Sequence, residues 1–269
     1  MPFLRLNNYR FYYTLNGDIN QPVILFLHGF LGNSQDFNTR LSPLFSQFCC
    51  LILDLPGHGQ TQVLGDDIYY TMSETATGLI EILNYLQISQ CYLMGYSMGG
   101  RLGLYLTLYF PQYFKKVILE STSPGLKTEA ERLQRLISDL QKAEQLQTLN
   151  FKEFLEEWYH QPLFKTLRNH PEFEQIFNHR LNNNPLELSK SLRYLGTGNQ
   201  PSLWEKLSSN QIPLLLLVGE LDQKFKRINQ EIQQLSPVAQ LQIIPHCGHN
   251  ILIENPHAWM EALVKFVSE

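Results

Sequence analysis

The chain has 269 residues, 43% of them hydrophobic, with 21 basic and 25 acidic residues and a formal net charge of -4. That is enough apolar material for a full core, and it excludes nucleic-acid binding driven by bulk positive charge. Any anion site must be a local gathering of a few arginines.

Residues 1–12 alternate partly between apolar and polar, as an edge strand would, and contain no apolar core of signal-peptide length. No segment approaches the roughly 20 apolar residues that span a bilayer. A cytoplasmic protein without stable membrane insertion is expected. Short apolar runs at 23–27, 49–53, 91–94, 116–119, 214–218 and 241–244 predict strands of the kind buried on both faces. Helical patterns at 72–86, 98–110 and 256–267 separate or follow them. Strands alternating with helices predict βαβ units, hence an α/β fold with a mostly parallel sheet. Cys49, Cys50, Cys91 and Cys247 lie in or beside the apolar runs without metal-ligand spacing, and read as buried reduced thiols.

The alternation breaks between 123 and 211, where the text turns helical and polar. Thr128 and Glu131 form a T-x-x-E capping box. Leu133, Leu136, Ile137 and Leu140 follow at helical spacing and predict one apolar face. Short helices are expected at 151–158 and 173–180, with Asn182-Asn183-Asn184-Pro185 as a stop. The expected organisation is a core of 1–123 and 208–269 with a helical cap, 124–207, inserted between core strands.

The chemistry centres on Gly95-Tyr96-Ser97-Met98-Gly99, an apolar strand running into G-x-S-x-G and then a helix. This is a nucleophile elbow, in which a sharp turn lifts a serine hydroxyl clear of the sheet, and the glycines allow strand and helix to approach closely. A serine hydroxyl needs a neighbouring base near neutral pH. In such elbows an acid and then a histidine follow later in the chain. The strand at 214–218 leads to Glu220 and Asp222, of which Asp222 is favoured because Glu220 lies nearer the strand end. The strand at 241–244 leads to His246 and His249, and His249 is favoured because it sits on the loop beyond the strand. The backbone N–H groups of Phe30 and Met98 are the expected oxyanion donors. His28 reads as a loop organiser, and His58, in the turn 54–59, as structural. No dinucleotide fingerprint, P-loop or metal spacing is present, so no cofactor or metal is implied. Arg101 stands one helical turn beyond Ser97, where a plain hydrolase has no general need of a cation.

These features resemble the α/β-hydrolase superfamily along essentially the whole chain. Within it the chain is similar to the 2-succinyl-6-hydroxy-2,4-cyclohexadiene-1-carboxylate synthases of menaquinone and phylloquinone biosynthesis. The narrower likeness rests on Ser121-Thr122-Ser123-Pro124-Gly125-Leu126 with Glu131-Arg132 and Arg135, on the string from Trp158 to Phe164, on Arg180-Leu181-Asn182-Asn183-Asn184, and on the string from Gly219 to Phe225. The resemblance implies a lyase that eliminates pyruvate from a small tricarboxylate, with Ser97, His249 and Asp222 acting as a base and no acyl-enzyme. It makes Arg101, Arg135 and Arg180 the carboxylate clamps, since bidentate guanidinium pairs hold a polyanion in one orientation. Arg132 is the residue most easily confused with Arg135. Tyr96, Trp158, Tyr159, Phe164 and Lys224 are further pocket candidates. The competing reading is a serine hydrolase, either a carboxylesterase or a carbon–carbon bond hydrolase, using the same triad on an anionic substrate. A non-catalytic binding protein would typically lack a triad member, and none is missing. No exposed apolar helix demands a partner, and a monomer is expected.

Overall fold

The structure, a computed structural model, describes residues 3–38 and 40–269. Residues 1 and 2 of the expected amino-terminal strand lie outside that range. The rest of that stretch forms a hairpin of β1 (Phe3–Leu6) and β2 (Tyr9–Asn16). The core then alternates as the apolar runs predict. β3 (Val23–Leu27), a short α1 (Gln35–Asn38), β4 (Cys49–Leu53) and a two-residue β5 (Gln62–Val63) lead to α2 (Met72–Tyr85), β6 (Cys91–Tyr96), α3 (Met98–Tyr109) and β7 (Phe114–Glu120). Five helices follow: α4 (Glu129–Thr148), α5 (Phe151–His160), α6 (Lys165–Arg168), α7 (Phe173–Arg180) and α8 (Pro185–Leu195). The chain returns with β8 (Leu214–Gly219), α9 (Gln223–Leu235), β9 (Ala239–Ile244), α10 (Ile251–Glu254) and α11 (Pro256–Ser268).

Among the described residues the strands make one sheet in the order β1-β2-β4-β3-β6-β7-β8-β9, with β5 paired to β2. Pairing is antiparallel from β1 to β4 and parallel from β4 through to β9. Helices on both faces explain the unbroken apolar strands. In β3, Leu25 and Leu27 enter the core on one side of the sheet, while Ile24 and Phe26 enter the other. Each such side chain contributes about 1.5–3 kcal/mol of transfer free energy, so a one-residue slip would exchange two cores at once. At the sheet edge the expectation of full burial fails. In β9 only Ile244 is buried, because β9 is the last strand in the sheet order and, among the described residues, pairs with β8 alone.

The helical segment departs from the sequence reading in two places. The Thr128–Glu131 capping box is present, with Glu131 N–H donating to Thr128 Oγ1 at 3.2 Å and Thr128 N–H to Glu131 Oε2 at 2.9 Å. The expected apolar stripe, however, points largely outward: Leu133 is 59% and Ile137 52% exposed. The buried face of α4 carries Asp139, Ala143 and Leu146 instead. Asp139 faces inward because it bonds Arg135 and the Gly198 N–H. Secondly, Asn184-Pro185 is a start as well as a stop. The Asn184 side chain accepts from the N–H groups of Leu186 and Glu187, and Pro185 opens α8, a helix the sequence reading missed. Beneath this segment a third apolar cluster joins Phe154, Leu155, Leu167, Leu188 and Leu192 to Leu31 of the β3–α1 loop.

All four cysteines are buried and unpaired. No helix among the described residues is long and apolar enough to cross a membrane.

Candidate active site

β6 ends at Tyr96 and α3 begins at Met98, so Ser97 alone turns the chain from strand to helix. Its backbone sits at φ 51°, ψ -106°, a strained conformation for an L-residue. The flanking glycines make the turn possible. A Cβ on Gly99 would stand 2.3 Å from the Leu27 carbonyl oxygen, and one on Gly95 would stand 2.5 Å from the Gly99 carbonyl oxygen. Two hydrogen bonds pin the elbow to its neighbours: Ser97 N–H to Glu120 O at 2.9 Å and Gly99 N–H to His28 O at 3.0 Å.

The serine meets both of its expected partners. Ser97 Oγ lies 3.0 Å from His249 Nε2, and His249 Nδ1 lies 2.6 Å from Asp222 Oδ2. Asp222 is fixed in turn, because its Oδ1 accepts from Phe225 N–H at 3.2 Å and caps α9. The rejected alternatives have other work. Glu220 accepts from the His246 N–H at 3.1 Å, and both residues are exposed. Phe30 and Met98 line the cavity beside Ser97, and among the described residues neither backbone N–H has an acceptor. His28 bridges two loops, its Nδ1 donating to Gly29 O at 2.7 Å and its Nε2 accepting from Leu55 N–H at 2.9 Å. His58 is buried beside it, with ring centroids 5.1 Å apart. Burial lowers the basicity of both rings, which suits structural histidines.

The triad opens into a cavity of about 800 Å³ between the sheet's carboxyl edge and the helical segment. Its apolar wall is aromatic. Tyr96, Phe164 and Phe225 surround the His249 ring at centroid distances of 5.5, 6.0 and 4.7 Å, and Trp158 packs 5.0 Å from Phe30. Tyr159 lines the wall as well. Phe225 enters the sequence analysis only as the end of a family string and not as a pocket residue, since an aromatic on an amphipathic helix carries no distinguishing pattern.

The polar wall is cationic, and its members differ in their partners. Arg101 Nη1 donates to Leu195 O at 3.0 Å and Gln200 Oε1 at 3.1 Å, both uncharged. Among the described residues no carboxylate lies within ion-pairing distance of it. Burial, reinforced by nearby Arg135, pulls its pKa down to about 10. Arg135 lines the cavity and pairs with Asp139 at 2.7 Å, whereas Arg132 turns to the carbonyls of Leu126 and Lys127. Arg180 grips Asp36 through both terminal nitrogens, at 2.7 and 2.9 Å. Burial alone would weaken that guanidinium as a base, but Asp36 and Tyr159 outweigh it and hold its pKa above the usual value. Lys224 completes the wall, its pKa lowered by burial and by Arg135. Asp36 and Gln200 were not legible in the sequence, because each becomes relevant only through a residue more than 90 positions away.

A buried carboxyl, Glu120, lies at the end of β7 beside Tyr96. Burial pushes it up from 4.5 to about 8, against hydrogen bonds from Ile251 N–H and Trp259 Nε1. Between those values the folded chain keeps a proton that the unfolded chain has released. Its contribution to stability therefore falls as pH rises, by up to about 1.4 kcal/mol per pH unit. The expected result is that the wild type loses ground to Glu120→Gln between pH 5 and 8.5 in urea unfolding. A difference that does not change with pH would contradict this. Taking the difference cancels the opposite trend from His28 and His58.

A family model described as alpha/beta hydrolase fold matches residues 22–256. The chain is 34% identical over 248 residues to the putative 2-succinyl-6-hydroxy-2,4-cyclohexadiene-1-carboxylate synthase of Bacillus subtilis (strain 168), covering 91% of this chain and 90% of that one. It is 30% identical over 253 residues to the 2-succinyl-6-hydroxy-2,4-cyclohexadiene-1-carboxylate synthase of Escherichia coli (strain SMS-3-5 / SECEC), covering 94% and 96%. Among solved structures, that of MenH from S. aureus aligns with a TM-score of 0.90 at 33% identity, over 98% of each chain.

Proposed function

This chain belongs to the α/β-hydrolase fold family and, within it, to the 2-succinyl-6-hydroxy-2,4-cyclohexadiene-1-carboxylate synthases, and from that premise we propose that its triad serves as a base in the pyruvate-releasing elimination. The substrate is 2-succinyl-5-enolpyruvyl-6-hydroxy-3-cyclohexene-1-carboxylate, which carries three carboxylates. The ring proton next to the succinyl ketone passes to Ser97 Oγ as the serine's own proton moves to His249 Nε2. The C–H electron pair moves toward the ketone, whose oxygen becomes enolate-like. As it returns, a new ring double bond forms, the existing double bond shifts by one position and the carbon–oxygen bond to the enolpyruvyl group breaks in the same step. Pyruvate leaves as its enolate and takes up a proton, and the cyclohexadiene remains. No step needs an acyl-enzyme.

The protein contributes three things. Asp222 holds the imidazole in one tautomer and stabilises the imidazolium as it forms. The N–H groups of Phe30 and Met98 receive the ketone oxygen as it becomes enolate-like, where charge develops. The segment 124–207 acts as a cap that places cations above the serine. The observation that carries the reading is Arg101, a half-buried guanidinium whose hydrogen-bond partners are neutral, in the same cavity as the triad. A carboxylate is the counter-charge it lacks. Arg135 and Lys224 are the second anchor. Arg180 is the third when a substrate carboxylate takes over bonds now made to Asp36. In this reading the enzyme works as a cytoplasmic monomer on a free small molecule.

The competing hydrolase would use the same residues, so the assay must separate the chemistries. The purified protein is supplied with the enolpyruvyl precursor and, separately, with a short-chain nitrophenyl ester. Rapid pyruvate release with slow ester turnover is expected; the reverse pattern sinks the lyase and supports the hydrolase.

A further inference from the structure

His249 is held in place from both sides by two acids that take no part in the reaction as described. Glu254 Oε2 accepts from Gly248 N–H at 2.8 Å and its Oε1 from Asn250 N–H at 3.3 Å. Glu120 Oε1 accepts from Ile251 N–H at 2.6 Å, and its Oε2 from the indole N–H of fully buried Trp259 at 2.8 Å. The backbone donors immediately before and after the catalytic histidine, and the next one along, thus end on these two side chains. Glu120 does more. Its main-chain carbonyl accepts from Ser97 N–H at 2.9 Å, so one residue bonds both Ser97 and Ile251, two positions beyond His249.

A fully buried acid is a poor choice for holding a fold together. Removing it from water costs more than a neutral acceptor would, as its upward-shifted pKa records. An amide has one oxygen and one NH2, however, and here two separate donors, from α10 and α11, meet two separate oxygens. A carboxyl group meets each donor with its own oxygen, whereas an amide in the same place turns its NH2 toward one of them.

We propose that Glu120 and Glu254 form a two-acid cradle that sets the position of the His249 ring against Ser97, with Glu120 as the positioning residue that ties the histidine loop to the elbow. The proposal rests on the triad reading given above. It does not depend on which substrate the triad serves.

The test is Glu120→Gln, which keeps the size and one acceptor but presents an NH2 to the second donor, whichever protonation state the acid has. Two readouts are taken on protein shown to be folded by circular dichroism. They are kcat and KM for pyruvate release, and the far-downfield proton resonance of His249 Nδ1 bonded to Asp222. The expected result is a fall in kcat of about 10- to 100-fold with KM within about twofold, and a shifted or broadened resonance. Wild-type kcat in a folded variant overturns the proposal. So does a lowered kcat with the resonance unmoved, or a raised KM with kcat kept. Glu220→Gln is the control, an exposed acid on the His246 N–H of the same loop, and leaves both readouts unchanged; a matching loss there also overturns the proposal. If Glu120→Gln does not fold, Glu254→Gln is judged by the same criteria. Wild-type protein that releases no pyruvate contradicts the proposed function, and the resonance then decides the cradle by itself.

Discussion

Replacing His249 with alanine is expected to lower kcat for pyruvate release on the order of 10³-fold, with KM changed only a few-fold. Among the described residues the ring is the only group within hydrogen-bond distance of Ser97 Oγ, at 3.0 Å. It lies among Tyr96, Phe164 and Phe225, so water is a poor substitute base. Ser97→Ala should fall by a similar factor, and the double variant no further, since the two act as one unit. Steady-state and single-turnover assays of pyruvate release measure this. If Ser97→Ala keeps most of its activity while His249→Ala loses it, the serine is not the proton acceptor and the histidine acts directly. Pre-steady-state traces should show no burst, because no covalent intermediate accumulates.

Arg101→Met is expected to reduce kcat/KM by about 10²- to 10³-fold while leaving the unfolding midpoint unchanged or slightly higher. The two effects have one cause. In the free protein the guanidinium is half-buried with a carbonyl and a carboxamide for company, an arrangement that does little for the fold. In the proposed reading a substrate carboxylate binds it inside the cavity, where a charged pair counts for more than at the surface. A drop in stability comparable to the loss of activity would show that Arg101 is structural. Arg101→Lys should recover only part of the loss, because an ammonium cannot bind a carboxylate in the planar, bidentate manner. Thermal unfolding and Michaelis–Menten analysis of the two variants, side by side, decide the matter.

Much of the candidate site's geometry is legible in the sequence, for an identifiable reason. The elbow, the acid and the histidine each follow a strand whose apolar run is unmistakable, so local patterns placed them at the same edge of the sheet. The choice of Asp222 over Glu220 and of His249 over His246 follows from loop position alone, and the geometry has both in contact. What local patterns missed was set at long range. The helical periodicity of Leu133 and Ile137 is real, yet the face it marks is exposed, because α4 packs on α8 through Ala143 and Leu146. α8 itself was hidden by Asn184-Pro185, a pair that ends one helix and begins another.

The sequence by itself determined the sheet, the order of the triad and the presence of arginines in the helical segment, because these depend on the spacing of neighbours along the chain. Only the tertiary structure decided how those arginines differ. Arg180 meets Asp36 across 144 residues, Arg135 meets Asp139 on its own helix, and among the described residues Arg101 has no carboxylate within ion-pairing distance. A guanidinium's charge is the same wherever it sits in the sequence. Whether that charge is already satisfied or available to a substrate depends on which oxygens the fold brings within 3 Å of it.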